Sequence, residues 1–366
     1  MRLLLLICVS VVFIIGLIMV FNTSAAEILD RSLDKSTHQA LFKQIAYALL
    51  GCFVALGVWF LGYENLLKLS FPLLCFFTFL LILCFIPGIG QGRNGAHRWI
   101  GFGGYTIQPS EFVKYLIPIY CIQYVLSKGQ ESLDLRNFLV LIGTIAIPLG
   151  LILIEPDTGT TAIIVTMLLM LLLLMRIRWK FWLLPMVILG TCAIGIAFQM
   201  PHMRDRLKVY LNPEADLRGK GHQPFQAKIA TGSGQLLGRG LGESLQKLNY
   251  LPEAQNDYIA AIYAEELGFI GILFLVTLYM LIAHIGFTIA SRALDKRGFY
   301  LGAAVTFLIC FQALLNLGVV SGLFPSKGLN LPFMSQGGTS LMANIIGITI
   351  LLNIAHASER KKVRRP

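Results

Sequence analysis

Apolar and polar positions follow one another along this chain in long blocks rather than in a fine period. Runs of about 20 apolar residues, the length that crosses a bilayer as a helix, lie near residues 3–21, 41–62, 68–86, 110–127, 137–154, 159–175, 181–199, 258–287, 299–321 and 337–356. Ten runs predict an all-α integral membrane protein, one polytopic domain of ten transmembrane helices over residues 1–366. Most of the polar connections are short. Residues 200–257, between the seventh and eighth runs, are the exception, and connections longer than about 12–15 residues are usually functional or disordered.

That long segment carries signals of local order. "FQAKIA" has the pattern of a short amphipathic helix, and "TGSGQLLGRGLGE" supplies glycines for tight turns whose backbone can approach a phosphate. Its charges are mixed but basic overall, which suits an anionic partner or simply a solvated face.

Composition agrees with the block pattern. The chain is 56% hydrophobic and 13% charged, against roughly 25% charged in a soluble domain. The first run follows Met1-Arg2 and ends near "NTSAA", in the manner of a signal peptide. Its apolar core exceeds the roughly 7–15 residues of a signal sequence, so a retained first helix is expected.

Basic residues resist translocation and set orientation. With the N-terminus inside, fifteen Lys and Arg, from Arg2 to Arg365, fall on the inner side, while the short outer loops hold Arg31, Lys35, Arg93, Arg98 and Lys327. Both termini are therefore expected in the cytoplasm, with residues 200–257 forming a large extracytoplasmic loop and residues 357–366 a basic cytoplasmic tail. The net charge of +11 is mostly this topology signal. The tail "ERKKVRRP" suits anionic lipid better than nucleic acid, and no nucleic-acid module is visible. The seven cysteines all fall in expected helices, without metal-ligand spacing, so neither a disulfide framework nor a zinc site is expected.

Charges at membrane depth are costly and mark functional positions. In "QPSEFVK", Pro109 suits a first helical turn, Glu111 suits the positive end of the helix dipole, and Lys114 lies on the same face, predicting an intrahelical Glu111–Lys114 pair. That pair could also serve packing alone. In "EPDTGTT", Pro156 and Gly159 break the chain and Asp157 can cap the next helix. "FPSKGLNLPFMSQGGTS" is non-helical backbone before the last run, which must line a cavity or be buried. In "LPEAQNDYIAAIYAEELGFIG", Asp257 heads a helical stripe of Ala261, Ala264 and Gly268. Glu265 lies to its side, bordering the same cavity, and Glu266 faces the other way, where it would anchor a neighbouring helix. An acid at the water boundary can stay ionised and act as a general base on an amphiphilic substrate.

Together, "NGAHRWIGFGGYTIQPSEFVK", "EPDTGT", the loop from "RLKVYLNPEADLRGKGHQPFQAKIATG" through "YLPEAQNDYIAAIYAEELGFIG", and "FPSKGLNLPFMSQGGTS" resemble the SEDS family of cell-wall proteins (FtsW, RodA and SpoVE types). The resemblance runs from about Asn94 to the last helix, and "PSKGLNLPFMS" is closer to the FtsW, division-type pattern. It implies a peptidoglycan glycosyltransferase in the bacterial inner membrane, working at the division septum on lipid II. It also implies a class B penicillin-binding protein and other divisome proteins as partners.

The resemblance makes Asp257 the catalytic residue and assigns Arg98, Glu111, Lys114, Asp157, Arg206, Gln226 and Lys327 to substrate binding. Two positions depart from the pattern: Gln255-Asn256 stands where the family usually has His-Thr, and Gln336 where it usually has Tyr. No residue set demands a metal, although a divalent cation (Mg or Mn) is one source of positive charge for a leaving diphosphate. The alternatives are a lipid II flippase and a non-catalytic scaffold that recruits the cross-linking enzyme.

Overall fold

The computed structural model describes residues 1–31, 38–93, 96–129, 133–183, 221–247, 254–326 and 328–363, with Val187, Gly195, Tyr210 and Leu251 placed singly. In chain order the elements are helices α1 (Arg2–Arg31), α2 (Gln39–Leu61), α3 (Tyr63–Lys68) and α4 (Ser70–Leu83), then strands β1 (Gly90–Arg93), β2 (Ala96–Phe102) and β3 (Tyr105–Ile107). Helices α5 (Pro109–Lys128), α6 (Leu135–Ile154), α7 (Thr158–Leu174), α8 (His222–Ser233), α9 (Ile259–Ser291), α10 (Lys296–Val320) and α11 (Gly338–Val363) follow. Each expected apolar run falls on a helix except that near 181–199, nearly all of which lies outside the described residues. Among the described residues, six helices are long and apolar enough to cross a membrane, and α4 and α7 are shorter apolar helices. The chain is a helical membrane protein.

Burial separates a core from a lipid-facing shell. Of the apolar stretches, those of α10 and α11 are 67% buried and that of α2 only 17%. Around α10 pack α5, α7, α9 and α11, so polar groups on α10 can reach each of these four helices. The helix starts follow local chemistry. Pro109 opens α5 with Glu111 in its first turn, and Asp134, Asp157 and Asp295 cap α6, α7 and α10 through backbone amides three residues on.

A three-stranded antiparallel sheet, β1-β2-β3, adds to the helical expectation. Phe102 pairs with Tyr105 across Gly103 and Gly104, both at positive φ, the condition for a two-residue hairpin loop. The Tyr47 hydroxyl on α2 donates to Thr106 O (2.9 Å) and accepts from Thr106 N (2.8 Å). The sheet is thereby fixed at one end of the bundle with Arg98 on its middle strand.

Candidate active site

Arg98 reaches from β2 to the turn between α6 and α7. Its Nε donates to Glu155 O (2.9 Å), one Nη donates to Pro156 O (2.6 Å), and the other lies 3.9 Å from Asp157 Oδ1. Two of its five N–H donors hold this turn. Asp157 fulfils the expected cap, accepting from Thr160 N (3.1 Å) and Thr160 Oγ (2.9 Å), and Gln108 Nε2 lies at 3.4 Å.

Between them Glu155 is 1% exposed, and neither of its carboxylate oxygens has a hydrogen-bond partner. Burial, with Asp157 beside it, pushes the Glu155 carboxyl up to about 8 against the opposing pull of Arg98 and the Cys84 thiol. Gly159 packs the turn against the segment before α11: a Cβ there would sit 2.8 Å from Leu329 Cδ2.

The expected Glu111–Lys114 pair forms at 2.5 Å within α5. Lys114 also donates to Gln312 Oε1 on α10 (2.8 Å), and Gln312 Nε2 donates to Asn330 O (2.7 Å). One helical turn on, Asn316 Nδ2 donates both to Leu329 O (2.6 Å) and to Asp257 O (2.8 Å). A continuous polar relay therefore runs from the buried ion pair, through two amides of α10 and the backbone of residues 329–330, to the backbone of Asp257. Gln312 and Asn316 escaped the reading of the sequence. Their signal was available: two amides four residues apart, on one face of an otherwise apolar helix.

Asp257 does not head a helix. It stands in the turn ahead of Ile259, part-exposed, with Tyr258 at the N-cap, because its carbonyl is committed to Asn316. Gly328 lies against its carboxylate, and a Cβ on Gly328 would be 3.2 Å from Asp257 Oδ2. Gln336 N donates to Gln255 O (2.9 Å), so the departures at Gln255 and Gln336 are direct neighbours beside Asp257.

The stripe expected to run on through Gly268 is interrupted as well. Gly268 breaks α9 at φ 66°, ψ −164°, a region open essentially to glycine alone. Residues 235–240 fill the break: Arg239 N and Gly240 N donate to Glu265 O and Glu266 O, while Phe269 N and Ile270 N donate to Gln235 O and Leu236 O. A broken helix is tolerated at such depth only where protein re-satisfies its backbone.

Both glutamates belong to this knot. Glu265, expected to border the cavity of Asp257, instead accepts from Ser244 Oγ (2.5 Å), Leu245 N and Gln246 N, with Arg239 Nε at 3.6 Å. Glu266 anchors α1, as expected, accepting from Asn22 Nδ2 (2.7 Å) and pairing with Lys247 Nζ at 3.0 Å.

Of the other expected binding residues, Gln226 is part-exposed on α8, the helix expected around "FQAKIA", and makes no hydrogen bond or ion pair among the described residues. Arg206 and Lys327 lie outside the described residues. Among the described residues no three His, Cys, Asp or Glu side chains converge as a metal ion would require.

A model of the cell cycle protein family that includes FtsW, RodA and SpoVE matches residues 2–360. The probable peptidoglycan glycosyltransferase FtsW of Trichlorobacter lovleyi is 36% identical over 93% of this chain and 89% of its own length. Stage V sporulation protein E of Bacillus subtilis is 35% identical over 97% of both. Among solved structures, a chain of a peptidoglycan synthase complex that coordinates polymerization and crosslinking superposes with a TM-score of 0.75 at 22% identity, over 97% of each chain. The rod shape determining protein RodA of Thermus thermophilus superposes with a TM-score of 0.68 at 22% identity, over 96% of this chain and 95% of that one.

Proposed function

The chain belongs to the FtsW/RodA/SpoVE family and is a peptidoglycan glycosyltransferase; from that premise we propose that it polymerises lipid II at the rim where Asp257, Arg98 and the Gly328 segment meet. The Asp257 carboxylate takes the proton of the acceptor sugar's 4-hydroxyl as that oxygen bonds to the anomeric carbon of the donor. The bond from that carbon to the diphosphate oxygen breaks, and undecaprenyl diphosphate leaves with the electron pair.

The observation that carries the reading is the contrast within Asp257 itself. Its backbone is gripped by Asn316, while the residue is part-exposed and its carboxylate lies against a residue with no side chain. A general base must be held still and yet remain reachable. The spare N–H donors of Arg98, joined by Arg206 and Lys327, are the proposed electrostatic support for the leaving diphosphate. Asp157 aims Arg98, and Glu111 and Lys114 act through the relay; Gln226 contacts substrate from α8.

The wider setting is also part of the proposal. Ten spans place both termini in the cytoplasm of a bacterial inner membrane, residues 200–257 outside, and a class B penicillin-binding protein alongside at the septum. In purified protein, Asp257→Asn that stays folded and keeps its partner should fail to polymerise lipid II, a loss of ~10²–10⁴ if the role is general-base help. Full activity of that variant overturns the assignment. Transport of labelled lipid II across liposomes without any polymer would replace the activity with that of a flippase.

A further inference from the structure

The α11 helix starts beside the Asp257 rim and runs for 26 residues, roughly 39 Å at 1.5 Å per residue, so its far turns lie at the opposite end of the bundle. There they pass the end of α2 and the start of α1. A cleft of ≈ 520 Å³ opens between α2 and α11, walled by Trp59, Gly62, Asn353, His356 and Arg360. A second cleft of ≈ 450 Å³ shares Trp59 and is lined by Leu3, Leu6 and Leu352, with Arg2 and Glu359 at its edge.

The first cleft is held open by its own bonding. Asn353 Nδ2 donates to Trp59 O (2.9 Å) and its Oδ1 accepts from Tyr63 N (3.2 Å), locking the corner between α2 and α3. Gly62 turns that corner at φ 78° and contributes no side chain. The Trp59 and His356 rings lie 5.3 Å apart.

The lining is rich in donors and cationic. Arg2 pairs with Glu359 and donates to His356 Nδ1 (2.8 Å). With Nδ1 accepting, the imidazole proton sits on Nε2, leaving an N–H donor. Glu359 is neutralised by Arg2, whereas Arg360 has neither a carboxylate nor a hydrogen-bond partner among the described residues. Lys361, Lys362, Arg364 and Arg365 follow in the sequence.

The flank of the paired clefts is apolar and open: Phe60 is 83% exposed and Leu3 70% exposed, as suits hydrocarbon contact in a membrane protein. Tryptophan is enriched where headgroups meet acyl chains, and Trp59 stands between the cationic cleft and the leucine-lined one. A diester phosphate needs cationic donors, and its acyl chain needs an adjoining apolar surface.

We propose that the paired clefts form a binding site for an anionic phospholipid, with the phosphate between Arg360 and His356 and an acyl chain along Leu3, Leu6 and Leu352. A free phosphate would satisfy the same donors but would leave the leucine-lined cleft uncovered. The site lies a bundle length from Asp257 and does not depend on the polymerase reading.

Native mass spectrometry of the full chain, offered equal phosphatidylglycerol and phosphatidylethanolamine, tests this. Phosphatidylglycerol should be retained in preference. Arg360→Gln should lower that retention roughly five-fold, the effect of one basic group near an anionic surface. Arg136→Gln, exposed at the start of α6, a helix that packs against α4, α5 and α7, should leave it unchanged. Ala357→Phe, at another residue of the wall, fills the first cleft without changing charge and should displace the lipid. If that variant does not fold, the contrast between Arg360→Gln and Arg136→Gln decides. Equal retention of the two lipids, equal loss in both charge variants, or displacement of the lipid by inorganic phosphate alone overturns the proposal.

Discussion

Asp257 and the Glu265–Glu266 pair are neighbours in sequence and opposites in surroundings. Glu265 is committed to Ser244, Leu245, Gln246 and Arg239, and Glu266 to Asn22 and Lys247. Both are at most 1% exposed. Asp257 is part-exposed in a turn, its backbone held and its carboxylate beside a bare glycine. The pair closes a broken helix over a returning loop; the single acid borders an opening. Acids buried with their lone pairs taken up by donors hold the fold together, and an acid held by its main chain in a part-exposed turn can exchange a proton.

The strongest way to break that contrast is to exchange its outcomes. Asp257→Asn should abolish polymerisation and leave the unfolding temperature near that of the parent chain. Glu266→Gln should do the reverse. It leaves Lys247, whose side chain is 6% exposed, without its carboxylate, and breaking a buried pair from one side costs about 3–5 kcal/mol. Thermal unfolding in detergent, with lipid II polymerisation measured per folded molecule, reads both. Loss of activity in Glu266→Gln at unchanged stability would erase the distinction.

Glu155 offers a milder test at the Arg98 end of the rim. Its folded carboxyl is raised to about 8, so the folded chain favours the protonated acid. The stability this contributes is complete below the ordinary carboxylate pKa of about 4.3. It is lost as pH climbs towards and through about 8, by at most roughly 1.4 kcal/mol for each pH unit. Unfolding curves between pH 5 and pH 9 should show that decline, and Glu155→Gln should flatten it. A decline of the same size in the variant would assign the effect to other groups.

Gly328→Ala should produce the smallest effect and the one most confined to the rim. Its Cβ would press on the Asp257 carboxylate at 3.2 Å, moving it by a few tenths of an ångström. Turnover should fall roughly five- to ten-fold, since small misplacements of reacting groups are costly, while the unfolding temperature stays put. Unchanged turnover would mean that Asp257 has more freedom than this packing allows.

Much of the rim was legible locally. The three-residue spacing of Glu111 and Lys114 puts them on one face of α5 whatever surrounds them, and Asp157 after Pro156 caps α7 through the next turn of its own chain. The helix around "FQAKIA" was equally readable. What failed was the assumption that helical geometry continues. Asp257 lies ahead of α9 because Asn316, 59 residues on, takes its carbonyl, and Gly268 leaves the helix because residues 235–240 supply the missing backbone partners. A helical wheel drawn through both places Glu265 beside Asp257, where the folded chain does not put it.

The amino-acid sequence by itself therefore determined that the chain is a helical membrane protein, where several helices begin, and which charges pair within one turn, because hydropathy and i, i+3 spacing act over a few residues. The tertiary structure decided which carboxylates are used up as structure and which is left at the rim. That choice depends on donors brought from Asn22, Ser244, Lys247 and Asn316, and only packing sets whether such donors arrive.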